Sequence, residues 1–118
     1  MVEIHYLPEF LRRAKILAKK YKTFAADYAK LLESLESNPF LGTHLGNGVY
    51  KVRMSISAKG KGKSGGARVL TFTVDNKSED KIVVTLLTIY DKNEINNVTD
   101  QYIEWLVGQI PQPLTPNR

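Results

Sequence analysis

The chain has 118 residues, of which 42% are apolar and 25% charged, the balance of one globular domain large enough to bury a core unaided. Seventeen Lys and Arg against twelve Asp and Glu leave a net charge of +5, which favours nucleic acid or another acidic partner. The absence of cysteine excludes disulfides, thiolate nucleophiles and Cys-based zinc sites, and no apolar run of about 18 residues is present to span a membrane.

In chain order, Val2 to Tyr6 reads as a short strand, and an acid this early with no long apolar segment argues against a signal peptide. A cytoplasmic location, away from any membrane, is the resulting expectation. Pro8 suits the first turn of a helix, where its missing amide donor costs nothing. Phe10, Leu11, Ala14, Leu17, Ala18 and Tyr21 then recur at spacings of three and four, with cations on the other side. Thr23 reads as the N-cap of a second helix, with Phe24, Tyr28, Leu31, Leu32 and Leu35 as its buried stripe. Asp27 falls near the positive end of that helix dipole, and Asn38-Pro39 ends it.

Phe40 to Gly48, with three glycines, reads as a loop. From Val49 to Ser57 the alternation is clean: Tyr50, Val52, Met54 and Ile56 on one face, Lys51, Arg53, Ser55 and Ser57 on the other. A further strand is expected from Arg68 to about Asp75, a turn from Asn76 to Asp80, and a last strand from Lys81 to Tyr90. That strand is apolar on both faces, with Ile82, Val84 and Leu86 on one and Val83, Leu87 and Ile89 on the other. Such a strand is either covered on both sides or keeps one face for a partner. Thr99 or Asp100 opens a short third helix with Tyr102, Ile103, Leu106 and Val107 on its apolar side. Prolines 111, 113 and 116 make residues 109–118 an irregular tail beyond a single domain over residues 1–108. The order β-α-α-β-β-β-α implies an α+β fold: two N-terminal helices on one face of a largely antiparallel four-stranded sheet.

Between two of these strands lies Lys59-Gly60-Lys61-Gly62-Lys63-Ser64-Gly65-Gly66-Ala67-Arg68, four cations and four glycines in ten residues. No Asp or Glu occurs from Ser37 to Val74, so local acids cannot neutralise the cluster, and a phosphate backbone is its natural complement. Gly62-Lys63-Ser64 mimics the end of a P-loop, but Ser57 stands where the first glycine of that motif belongs. A strand, not a helix, follows the loop, so the nucleotide-binding reading fails.

Placed between those strands, the loop makes the chain resemble a RelE/HigB-type toxin of a bacterial type II toxin–antitoxin pair. The residues that carry this are Asn38-Pro39-Phe40-Leu41-Gly42, Tyr50-Lys51-Val52-Arg53, the cationic loop through Val69, and Leu87-Thr88-Ile89-Tyr90-Asp91-Lys92-Asn93-Glu94. The similarity runs from about Tyr6 to Trp105. It implies a ribosome-dependent messenger-RNA endonuclease that cuts without a metal or cofactor, by attack of the 2′-hydroxyl on the adjacent phosphate. It also implies a neutralising antitoxin, the toxin–antitoxin complex binding operator DNA.

Carried over residue by residue, the resemblance implies catalytic roles for Arg68, Arg53, Tyr90 and Lys92 and RNA contacts for Lys51 and Asp91; the clustering of like charges adds Lys59 as a catalytic candidate and Lys61 and Lys63 as grips on the RNA backbone. Guanidinium forks suit the charge that builds on the phosphoryl oxygens, because they bind two oxygens and stay charged. Lys59 is a candidate base, whereas Asp91 has the alternative of pairing a cation. Several relatives place a histidine or a C-terminal tyrosine in the acid role. Here the only histidines are His5 and His44, on the first strand and an early loop, so acid and base stay unassigned. The rival readings are a non-catalytic RNA- or DNA-binding module and a family member that binds its antitoxin without cleaving.

Overall fold

The computed structural model describes residues 1–60, 65–95 and 97–111. Lys61, Lys63 and the prolines at 113 and 116 lie outside the described residues. Along the chain run β1 (Val2–Tyr6), α1 (Pro8–Lys20), α2 (Phe24–Ser37), β2 (Thr43–Gly46), β3 (Val49–Met54), β4 (Ala67–Asn76), β5 (Lys81–Asp91) and α3 (Asp100–Gly108). The strands form one sheet in the order β1-β5-β4-β3-β2, in which only β1 pairs parallel, to β5. The fold is α+β, as expected, with a mostly antiparallel sheet.

That sheet has five strands among the described residues, not four. The addition is β2, inside the segment read as a loop. Gly46 pairs with Val49, and between them Asn47 (φ 54°) and Gly48 (φ 83°) both take the left-handed conformation. This is a two-residue Asn-Gly hairpin, whose twist matches that of the strands it joins. Neighbouring glycines masked the signal. β3 is also shorter than expected, ending at Met54; Ser57–Lys59 form a 3-10 turn instead.

Two cores lie on opposite faces of the sheet. On one, Phe10, Ala14 and Leu17 of α1 and Phe24, Leu31 and Leu35 of α2 pack on Val52, Met54, Val69, Val84, Leu86 and Ile89. On the other, Leu106 of α3 and the following Ile110 pack on Val49, Leu70, Phe72, Leu87 and Tyr90. The packed chain therefore runs past residue 108. The second apolar face of β5 is covered by α3, so it does not wait for a partner, and the case for an antitoxin loses that support.

A bulge in β5 decides which side chains share a face. Leu70 pairs with Thr88 and Thr71 with Leu86, leaving Leu87 as the extra residue. Period-two counting put Leu87 with Ile89. In the structure Leu87 joins the α3 core, while Ile89 joins Val84 and Leu86 in the other. The extra residue reverses the alternation beyond it, which turns Tyr90 to the α3 side. Among the described residues no helix is long and apolar enough to cross a membrane.

Candidate functional site

The register of the three central strands builds a row. Arg53 of β3 lies opposite Arg68 of β4, and Arg68 lies opposite Tyr90 of β5. Directly opposed residues bring their side chains together on one face of a sheet. The row grades from solvent to interior: Arg53 is exposed, while Arg68 is 6% and Tyr90 4% exposed. Nη1 of Arg68 donates to the carbonyl oxygen of Ala67 at 3.2 Å. Burial, and then the charge of Arg53, lower the Arg68 pKa; Tyr90 acts the other way. Burial raises the phenol of Tyr90 above its usual range, with Arg68 opposing, so its hydroxyl keeps its proton at neutral pH. That hydroxyl is buried and has no hydrogen-bond partner among the described residues.

Lys51, two residues before Arg53 on the same strand face, lines a small cavity together with Tyr90. Arg53 also borders a larger cleft of about 400 Å³ towards α2, with Asp27, Ser34 and Met54 among its lining. Arg53 thus stands at the rim of both sides of the sheet, where β3 has run beyond its pairing with β2.

Two buried carboxylates hold the residues that flank the cationic segment, Ser57–Lys59 on one side and Gly66 on the other. At the start, Asp27 accepts from the Ser57 amide (2.9 Å), the Ser57 hydroxyl (2.8 Å) and the Thr23 hydroxyl (2.9 Å). The Ala58 amide in turn donates to the Thr23 hydroxyl at 2.9 Å. Thr23 therefore ties down the loop instead of capping α2 with its side chain. Burial pushes the Asp27 pKa up, but the bonds from Ser57 and Thr23 outweigh it and the net shift is downward.

At the far end Asp91 accepts from Lys59 Nζ (2.7 Å), the Tyr21 hydroxyl (2.6 Å) and the Asn93 amide (2.9 Å). Lys59 also reaches the Gly66 carbonyl at 3.4 Å, and the Lys92 amide donates to the same oxygen at 3.2 Å. Burial alone would raise the Asp91 pKa; Lys59, Tyr21 and the Asn93 amide overcome it and hold the group at about 2.

The expected site residues therefore separate. Arg53, Arg68, Tyr90 and Lys51 come together on one face of the sheet. Lys92 is exposed just past β5, close to the loop base through its amide. Lys59 and Asp91 sit elsewhere: their side chains are 7% and 0% exposed and bonded to each other. The expected RNA contact for Asp91 gives way to its alternative, a buried carboxylate pairing a cation, because its oxygens face Lys59 and Tyr21. The expected base, Lys59, has its ammonium directed inward. His44 lies on β2 with its ring 4.8 Å from that of Tyr50, away from the row.

Asp27, Tyr21, Thr23 and Ser57 were not singled out as loop anchors, because bonds spanning 30 or more residues leave no local pattern. A second long-range cluster joins α1 to α3: the Tyr102 hydroxyl donates to Glu9 at 2.8 Å, beside Arg12 and Arg13. Burial would raise the Glu9 pKa, but Arg13, Tyr102 and Arg12 bring it down to about 2. Among the described residues no three His, Asp or Glu side chains converge as a metal site requires. No protein-family model matches this chain.

Proposed function

We propose that the protein is the toxin of a RelE/HigB-type toxin–antitoxin pair, a metal-independent endonuclease acting on messenger RNA in the ribosome. The observation that carries this reading is the row Arg53–Arg68–Tyr90, two guanidiniums and a protonated phenol side by side at the base of a cationic loop. Like charges directly opposed in a sheet work against folding, and a bound phosphate between them reverses the sign.

In the proposed reaction the 2′-hydroxyl gives its proton to solvent water, its oxygen bonds to the adjacent phosphorus, and the bond from phosphorus to the 5′-oxygen breaks. The products are a 2′,3′-cyclic phosphate and a 5′-hydroxyl. Arg68 and Arg53 meet the charge that grows on the phosphoryl oxygens. Tyr90 is the proton donor of this reading, the acid role that histidines fill in relatives; its buried hydroxyl has to turn outward to reach the departing 5′-oxygen, and it regains its proton from water. Lys51 and Lys92 hold neighbouring phosphates, and Lys59 acts through the loop it anchors. The antitoxin, and operator DNA through its complex, remain partners on the strength of the resemblance.

Ribosomes programmed with a defined message test this directly. Wild-type protein should cut the message to fragments with 5′-hydroxyl ends. Arg68→Ala should slow cleavage roughly 10²–10³-fold while keeping most of the affinity. The inward-facing ammonium of Lys59 favours a second reading, a binding module without cleavage. In that case the message stays intact, and Arg68→Ala weakens binding while lowering the salt slope by about one.

A further inference from the structure

Tyr90 takes part in two structures at once: it ends the cationic row, and it lines a cavity of about 170 Å³ between the β2–β3 hairpin and α3. Leu45, Val98 and Ile103 give this cavity apolar walls, and Lys51, Asn97 and Asp100 bring polar groups to it. It is smaller than the roughly 300–1,000 Å³ typical of sites for drug-sized ligands, and suits one flat ring system. Tyr90 lines it with its ring, since its hydroxyl is buried and, among the described residues, without a hydrogen-bond partner.

Asp100 is the discriminating group. It is exposed, and among the described residues it makes no ion pair, although Lys51 lines the same cavity. A carboxylate here repels phosphate, so its complement is a neutral edge rich in donors. Among the four bases only guanine presents two adjacent donors, N1–H and the 2-amino group, which a carboxylate accepts as a pair. Adenine, cytosine and uracil each offer that edge a single donor group.

We propose that this cavity is a nucleobase subsite selecting guanine, next to a phosphate held by Arg53 and Arg68, with Asp100 as the specificity-determining residue. The proposal rests on the nuclease reading for its substrate class. RNA recognition of this kind reads splayed bases by stacking and by their hydrogen-bonding edges.

Titration of the wild-type protein with the 3′-monophosphates of guanosine, adenosine, cytidine and uridine tests it. Guanosine 3′-monophosphate should bind about tenfold tighter than the other three. Asp100→Asn, at an exposed position, should remove that preference. It should also gain affinity for xanthosine 3′-monophosphate, whose N1–H and 2-oxo groups match a side-chain amide. Equal binding of the four nucleotides, no binding of any, or a guanine preference that survives Asp100→Asn would overturn the subsite. Cleavage on programmed ribosomes would still stand in each of those cases. Conversely, guanine preference without cleavage would overturn the nuclease reading alone.

Discussion

Two guanidiniums facing each other across β3 and β4 oppose folding, and the side chains of this row should show a conflict between stability and activity. Arg53→Thr removes one like charge at an exposed strand position. It should raise stability by about 0.2–1 kcal/mol in urea denaturation while slowing message cleavage. Equal losses in both would mean that Arg53 is structural. Tyr90→Phe removes a buried hydroxyl without a partner among the described residues, so it should leave stability unchanged or raise it by about 1 kcal/mol. If Tyr90 is the proton donor, the same change should slow cleavage roughly 10²–10⁴-fold. Asp91→Ala has the opposite character. It leaves the Lys59 ammonium buried without its partner, a change that typically costs about 3–5 kcal/mol. The exposed pair Lys20–Glu94, 3.4 Å apart, should contribute under about 1 kcal/mol by the same measurement.

At the scale of elements, the strands and helices carry a loop whose two ends are fixed by side chains from α1, α2 and β5. Gly66 closes that base: a Cβ there would run into the Met54 carbonyl oxygen, and its own carbonyl holds Lys59 and the Lys92 amide. Gly66→Ala should therefore cost about 1–3 kcal/mol in the same denaturation experiment, and cleavage should fall with the displaced loop. Much of this layer was legible in the sequence, because α1, α2, α3 and the central strands follow from hydrophobic period and punctuation. The hairpin strand β2 was missed although Asn47-Gly48 announces it. The bulge at Leu87 was not legible at all, since an extra residue in an apolar run leaves its composition unchanged. For the site, Arg53, Lys51, Arg68 and Tyr90 are candidates by sequence, and the structure lays them on one face of the sheet. That Lys59 is the cation paired with Asp91 was not legible, because the bond joins two residues 32 apart.

For the whole molecule, a net charge of +5 coexists with two carboxylates whose folded pKa values lie far below their ordinary ones. Asp91 goes from 3.8 to about 2, and Glu9 from 4.5 to about 2. Between those values the unfolded chain binds more protons than the folded one, so stability rises with pH. Each group should contribute roughly 2–3 kcal/mol in full above about pH 5, lost progressively as the pH falls towards 2. Midpoints of urea unfolding measured across that window should fall steeply for the wild type and less so for Glu9→Gln. The charge itself should make binding to RNA weaken with added salt, mainly through the exposed cations. The central claim is that the Arg53–Arg68–Tyr90 row cleaves messenger RNA. The most direct test is inducible expression of wild type and Arg68→Ala, with growth recorded and the 5′-hydroxyl ends of cellular messages mapped. Growth arrest with new ends inside translated regions, both abolished by Arg68→Ala, is the expected result; intact messages and normal growth with folded wild-type protein would contradict it.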